Sequence, residues 1–170
     1  MPIETADRLL EIEEALLIGA GASEEEAKIV ARHSIDSNLA GHDSHGIIKI
    51  PTYIQRVKDG HIVPGAPFEI ERETQGTTHI NGNWGFGYVV SERAMKITIE
   101  KAKKCGVAAT TVYQQSHVGR LTDYPLMAIQ EGMICMMTAD SGRSNKAVAP
   151  LAGERPALAL IRFVLRCRPI

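Results

Sequence analysis

Side chains that can move protons or bind acids are concentrated in two short segments of the chain. The first is Gly41-His42-Asp43-Ser44-His45-Gly46, followed by Lys49 and by Tyr53 at intervals of four residues. Because residues four apart share one face of a helix, a helical segment here would align an imidazole, an ammonium and a phenol. The second segment is Ser116-His117-Val118-Gly119-Arg120-Leu121-Thr122-Asp123-Tyr124. Such sets suit a substrate that carries a transferable proton and a carboxylate.

His45 is a candidate general acid or base, because imidazole titrates near neutral pH and passes a proton in either direction. The alternative is a surface histidine, or one whose hydrogen bonds are satisfied within a helix. A metal site is a further alternative, with His42 and His45 at i, i+3 and Asp43 between them. The sequence has neither an HExxH motif nor a suitably spaced third ligand.

Lys49 is a candidate partner for a substrate carboxylate, as a point charge; the alternative is a solvated helix lysine. His117 and Arg120 follow a predicted strand and open a predicted helix. In an α/β fold this is the edge of the sheet where ligands bind, and the amides of a helix N-terminus favour anions. An ordinary helix entry explains the same pattern.

The first 60 residues predict helices over residues 5–19, 23–41 and 44–58. Ser23 and Glu26 form a capping-box pattern at the start of the second helix. Pro51 lies inside the third, where proline removes an amide donor, so that helix is expected to kink or restart.

The remainder predicts an alternation of strands and helices. Residues 68–73 alternate as a half-buried strand does, and residues 78–80 form a second strand. The glycine-dense stretch 81–87 lacks the GxGxxG order and is interpreted as a turn that positions a helix over 89–104. A strand (107–112), a helix (121–130) and a strand (133–138) follow, which indicates a parallel α/β core. A last hydrophobic strand is expected within 157–170.

Bulk properties narrow the class of protein. The 170 residues carry 19 Lys and Arg against 20 Asp and Glu, with a net charge of -1, so a nucleic-acid partner is not expected. Apolar runs are far shorter than the about 20 residues of a membrane span, and a signal-peptide pattern is absent. Three scattered cysteines without a CxxC indicate a reducing compartment; we expect a cytoplasmic protein.

Several motifs occur in one order: Asp43-Ser44-His45-Gly46, then Asn83-Trp84-Gly85-Phe86-Gly87, then His117-Val118-Gly119-Arg120-Leu121, then Val148-Ala149-Pro150. Together they closely resemble the malate/L-lactate dehydrogenase family of NAD(P)-dependent oxidoreductases, the type distinct from Rossmann-fold lactate dehydrogenases. The resemblance covers residues 1 to about 156.

The resemblance implies hydride exchange between NAD or NADP and a small 2-hydroxy or 2-keto acid. It implies that His45 is the catalytic acid/base and that Lys49 and His117 bind the substrate. The cofactor would be bound by Ser44, His117, Gly119, Arg120, Leu121 and Thr138, with no metal. A homodimer is expected for the full-length form, and neither a nucleic acid nor a membrane is an expected partner.

The expected fold is mixed α/β and non-Rossmann. A helical segment (1–60) carries the Asp-Ser-His-Gly motif, an incomplete sheet core flanked by helices follows (61–156), and the end (157–170) is aberrant or truncated. The family commonly has an arginine where Lys49 stands, and it follows Val-Ala-Pro with a Gly-Thr-Asn-Pro stretch that is absent here. We therefore expect an N-terminal portion of a dehydrogenase; the alternative is a non-catalytic remnant or interaction module.

Overall fold

The computed structural model describes residues 4–140 and 162–166. The chain divides into two compact units, Met1–Arg120 and Leu121–Ile170, which are described separately. The first unit contains helices α1 (Ala6–Gly19), α2 (Glu24–Leu39), α3 (Ile50–Lys58) and α4 (Gly87–Cys105), and strands β1 (Glu69–Glu73), β2 (Thr77–Asn81) and β3 (Ala109–Tyr113). Within the described residues, no helix combines the length and the apolar character that crossing a membrane requires.

The first two helices begin where their capping residues predict. Thr5 caps α1 by accepting a hydrogen bond from the Arg8 amide at 3.3 Å. At α2 the Ser23 hydroxyl accepts from the Glu26 amide, while the Glu26 carboxylate accepts from the Ser23 amide at 3.0 Å. This reciprocal pair satisfies two amides that a helix start otherwise leaves without partners. The predicted capping box is confirmed.

The third helix differs from its prediction. Two 3-10 turns, Asp43–His45 and Ile47–Lys49, precede α3, and Gly46 between them is extended with φ -90° and ψ -152°. The expectation of one helix over residues 44–58 is therefore wrong, and so is the helical alignment of His45 with Lys49. The predicted restart is confirmed, since Pro51 stands in the first turn of α3, where its missing amide costs no hydrogen bond.

A three-stranded sheet carries the middle of the first unit. β2 lies at its centre, antiparallel to β1 and parallel to β3. All five residues of β1 are exposed, and Ile70 is 41% exposed. The expected half-buried character of this strand is wrong: α4 packs on β2 and β3, whereas β1 lies at the edge of the sheet.

The second unit contains helix α5 (Asp123–Gln130) and strands β4 (Cys135–Ala139) and β5 (Arg162–Arg166), which pair antiparallel. Parallel pairing is thus confirmed for β2 and β3, but β4 does not continue it as the strand–helix–strand order predicted. β5 is the strand expected near the end; the rest of 157–170 lies outside the described residues. The mixed α/β class with an incomplete sheet is confirmed.

The core of the first unit joins its helices to the loop before α4. It is a cluster of apolar side chains from α1, α2, α3, the start of α4 and the adjoining loops: Leu17, Ala22, Ala27, Val30, Ala31, Ile50, Tyr53, Ile62, Phe86, Tyr88 and Val89. Two members, Tyr53 and Tyr88, are buried phenols, and a buried phenol normally finds a hydrogen-bond partner. Their hydroxyl groups bond to each other and to the two segments that carry His45 and His117, so the core borders the candidate site.

Candidate functional site

The His45 turn is held in place by Asn38, at the end of α2. The Asn38 side-chain oxygen accepts from the Ile47 amide at 2.9 Å, and its amide nitrogen donates to an Asp43 carboxylate oxygen at 2.7 Å. A Cβ on Gly46 would lie 2.0 Å from that Asn38 oxygen, so a larger residue here would displace the side-chain amide that braces the turn. The Asp-Ser-His-Gly motif thus owes its glycine to the residue that braces the turn.

Three histidine rings meet beside this turn. The centroid of the His45 ring lies 5.3 Å from that of His117 and 4.5 Å from that of His42. The Ser44 hydroxyl and the His45 Nδ1 are hydrogen-bonded at 2.9 Å. His45 is 5% exposed and His117 is half-buried, and shielding from water strengthens the polar contacts they make.

Two buried phenols connect His117 to the backbone of His45. The Tyr53 hydroxyl lies 2.7 Å from the His117 Nδ1 and 3.2 Å from the Tyr88 hydroxyl. The Tyr88 hydroxyl donates to the His45 carbonyl oxygen at 3.2 Å. The 3-10 turn, α3, α4 and the loop after β3 each contribute one residue, and a continuous set of hydrogen bonds joins them.

Two glycines allow α4 to approach the His117 loop. A Cβ on Gly87, at the start of α4, would lie 2.3 Å from the Ser116 carbonyl oxygen. A Cβ on Gly119 would lie 2.0 Å from Cε1 of Tyr88, and the φ of Gly119 is +68°, a conformation that glycine adopts without strain. The glycine-dense stretch positions α4, as predicted, and Gly119 makes room for the Tyr88 ring.

A charged group lies behind the phenols. The Glu92 carboxylate is buried on α4; it accepts from His33 Nε2 at 3.0 Å and from Lys96 Nζ at 2.8 Å, and it also pairs with Arg32. The hydrogen bond from His33 is the largest of the effects that lower the pKa of Glu92 to about 2; burial opposes the shift, and Lys96 and Arg32 add to it. The His33 ring in turn lies 5.4 Å from the Tyr88 ring.

Lys49 is half-buried at the end of the second 3-10 turn. In the part of the chain that the structure describes, its ammonium makes no hydrogen bond or ion pair. Over the same residues, no group of three His, Cys, Asp or Glu side chains is arranged to hold a metal ion. The structure therefore brings together His45, Ser44 and His117, and it adds Tyr53 and Tyr88.

A sequence model of the malate/L-lactate dehydrogenase family matches residues 5–160. The chain belongs to this family. It is 39% identical over 143 residues to L-sulfolactate dehydrogenase of Methanothermobacter thermautotrophicus, a match that covers 84% of this chain and 41% of that protein. It is 40% identical, with the same coverage, to malate/(S)-sulfolactate dehydrogenase of Methanothermus fervidus. The chain thus spans about two fifths of the length of these curated relatives.

Solved structures agree with the sequence matches. Malate dehydrogenase of Pyrococcus horikoshii superposes with a TM-score of 0.90 at 32% identity, over 96% of this chain and 46% of that one. Sulfolactate dehydrogenase of Methanocaldococcus jannaschii gives 0.91 at 31% identity, over 96% and 47%. The family resemblance and the fold class predicted from the sequence are confirmed.

The residues expected to bind a cofactor in this dehydrogenase family fall in both units. Gly119 and Arg120 lie in the loop after β3, where Gly119 is buried and Arg120 half-buried. Leu121 is buried at the start of the second unit, and Thr138 is exposed on β4. Their roles toward a nicotinamide remain predictions. The structure does give Gly119 a separate packing reason, which is its contact with Tyr88.

Spacing along the sequence missed three residues of the site, namely Tyr88, His33 and Glu92. His33 and Glu92 are 59 positions apart, and no local pattern links them. A weak signal did exist, because Tyr88, Glu92 and Lys96 follow one another at intervals of four at the start of the helix predicted over 89–104, with Tyr88 one residue before its predicted first residue. That spacing puts one phenol and one ion pair on a single helix face.

Proposed function

We propose that this chain carries the acid/base half of an NAD(P)-dependent oxidoreductase that transfers a hydride between nicotinamide and a small 2-hydroxy or 2-keto acid. The observation that carries the proposal is the pairing of His45 and His117, whose ring centroids lie 5.3 Å apart in a shielded site. Two imidazoles at that separation can both face one oxygen atom of a small substrate. Membership in a hydroxy-acid dehydrogenase family supports the same chemistry.

We assign to His45 the transfer of the proton of the substrate hydroxyl group. Its Nδ1 is engaged by Ser44 at 2.9 Å, so Nε2 is the nitrogen assigned to the hydroxyl of the substrate. In oxidation Nε2 takes that proton as the carbonyl forms, and in reduction it returns the proton to the new alkoxide. His117, whose ring centroid lies 5.3 Å from that of His45, is assigned the stabilisation of the charge that develops on the oxygen.

The chemistry of the loop after β3 suits a dinucleotide. Arg120 carries a permanent guanidinium charge that binds phosphate in two-point contacts, and Thr138 on β4 presents an exposed hydroxyl. Each of these two residues is proposed separately to contact NAD or NADP, which supplies or accepts the hydride when bound. The chain's own residues then orient the substrate and handle the proton.

The test of the acid/base assignment is His45→Ala. General acid–base catalysis typically contributes about 100- to 10,000-fold, so kcat should fall by that range while the affinity for NADH or NADPH changes little. Activity is followed as loss of reduced nicotinamide with 2-keto acids that carry a methyl, carboxylate or sulfonate group. His61→Ala, at an exposed position, is the matched control. Near-normal turnover by His45→Ala would overturn the assignment.

Binding is tested separately by titrating the 170-residue chain with NADH and with NADPH and following nicotinamide fluorescence. Saturable binding of either one, with turnover of a 2-keto acid, supports the proposed function. A folded chain that binds neither one would contradict it and would favour the non-catalytic alternative.

Lys49 is proposed to pair with the substrate carboxylate. Lys49→Met should raise KM for an acid substrate much more than KM for its neutral amide analogue, because only the acid loses an ion pair. Lys49→Arg should keep the low KM for the acid substrate, because a guanidinium can make a bidentate contact with a carboxylate. Equal effects of Lys49→Met on acid and neutral substrates would instead show a solvated lysine.

A further inference from the structure

Tyr88 occupies the centre of the hydrogen bonds that join the two catalytic histidine segments. It is 1% exposed, on the first turn of α4. Its hydroxyl lies 3.2 Å from the His45 carbonyl oxygen and 3.2 Å from the Tyr53 hydroxyl, which lies 2.7 Å from the His117 Nδ1. Three hydrogen bonds thus connect the His117 ring to the peptide bond between His45 and Gly46.

Counting protons gives this set of hydrogen bonds a direction. A carbonyl oxygen only accepts, and a phenol has one proton to donate. The Tyr88 hydroxyl therefore donates its proton to the His45 carbonyl oxygen. Tyr53 must then donate to Tyr88, and the His117 Nδ1 must donate to Tyr53. All three bonds form together only when the His117 Nδ1 carries a proton.

The opposite arrangement is also built into the site. The Gly119 amide donates to the His117 Nδ1 at 3.3 Å, which requires that nitrogen to accept. Tyr53 then donates to Nδ1 as well, and the single proton of Tyr88 serves either Tyr53 or the His45 carbonyl. The same heavy-atom positions therefore support two proton arrangements, which differ in whether His117 Nδ1 is protonated.

We propose that Tyr88 is a positioning residue that couples protonation of His117 Nδ1 to the hydrogen bond on the His45 carbonyl. Its role in catalysis rests on the proposed function, because His45 and His117 are the assigned acid/base pair. The titratable groups that face His117 include Tyr53 from α3, Tyr88 from α4 and His45 from the 3-10 turn. Uptake of a proton by one histidine is thereby transmitted to the backbone of the other.

Packing holds the Tyr88 ring independently of its hydroxyl. On one side lies the His33 ring, with centroids 5.4 Å apart, itself hydrogen-bonded to Glu92. On another lies Gly119, where even a methyl group would collide with the Tyr88 ring. Tyr88→Phe therefore removes the hydroxyl while keeping the ring, and it tests the coupling rather than the core.

The experiment is a pH titration by NMR of the 170-residue chain without cofactor or substrate. The His45→Gln background removes the ring of His45 but keeps its carbonyl. Ring nitrogen shifts report the protonation and tautomer of His117, and the Gly46 amide reports the hydrogen bond on the preceding carbonyl. We expect the chemical shift of the Gly46 amide to change with the same midpoint as the His117 ring. In Tyr88→Phe we expect this step to be lost and His117 to shift toward the Nε2–H tautomer.

Tyr113→Phe is the control, because that phenol donates to Glu71 on the exposed face of β3; the Gly46 step should persist. Tyr53→Phe cuts the same connection at another point and replaces Tyr88→Phe if circular dichroism shows that the latter does not fold. The coupling is overturned if the shift of the Gly46 amide still changes with the protonation of His117 in whichever of Tyr88→Phe and Tyr53→Phe folds. It is also overturned if the Gly46 shift does not change with His117 in the His45→Gln background itself. Coupling in a chain that binds no nicotinamide would overturn the proposed function alone.

Discussion

Glu13 and Glu92 are both buried carboxyl groups of the first unit, yet their pKa values move in opposite directions. Glu13, on α1, is fully buried, and burial raises its pKa to about 7 despite a hydrogen bond from the Ser34 hydroxyl at 3.2 Å. Its second oxygen, Oε2, has no hydrogen-bond partner among the described residues. Glu92 has three basic partners, which lower its pKa to about 2.

The difference shows that partners, and not depth alone, decide the charge of a buried carboxyl group. One neutral hydroxyl does not offset the loss of water around Glu13, so the pKa of this carboxyl group is raised to about 7. A histidine, a lysine and an arginine more than offset it for Glu92, so the carboxylate stays charged. Glu92 supports the His33 ring behind Tyr88, whereas Glu13 lies between α1 and α2.

The largest expected effect is that of Glu92→Leu. It removes the buried carboxylate that accepts from His33 and Lys96 and pairs with Arg32, and losing hydrogen bonds to a buried charged group typically costs about 1.5–3 kcal/mol. Urea unfolding at neutral pH measures the loss. The control, Glu100→Leu, removes an exposed pair with Lys103 on the same helix and should cost much less, because water screens an exposed ion pair. Equal losses would mean that Glu92 is no more than a surface charge.

The second effect is a pH dependence of opposite sign at the two sites. The folded protein holds the Glu13 proton more tightly than the unfolded chain, so Glu13 costs stability as pH rises from about 4.5 to about 7. Glu92 costs stability as pH falls from about 4.5 toward 2. Glu13→Gln should therefore match the parent near pH 4 and exceed it by about 1–3 kcal/mol at pH 8.

Unfolding free energies from pH 4 to pH 8 measure this difference. Glu14→Gln, on the same helix, is the control and should show no such gain. A Glu13→Gln difference that does not change with pH would mean that the Glu13 carboxyl titrates as it does in the unfolded chain.

The same contrast explains what the sequence could predict. The Ser23 capping box and the restart at Pro51 depend on residues within one turn, so their patterns sufficed. The family motifs located His45 and His117, but the His45 turn depends on Asn38, and the Tyr88 support depends on His33. Those contacts join distant segments, and they are determined by how α2 and α4 pack. No spacing rule could show that Glu13 has one neutral partner, Ser34, while Glu92 has three basic ones.

The smallest expected effect is that of Ser34→Ala, which changes the surroundings of Glu13. Ser34→Ala removes the hydroxyl that donates to Glu13, the one interaction that lowers its pKa. The pKa of Glu13 should rise further, and the loss of stability should be greater at pH 8 than at pH 4, by about 1 kcal/mol. Ser37→Ala is the matched control, since this buried serine on α2 donates to the His33 carbonyl oxygen at 2.8 Å. Its loss should be the same at both pH values, because it contacts no titrating group through its hydroxyl. If the two serine variants showed the same pH dependence, the Ser34 hydroxyl would not interact with the charged form of Glu13.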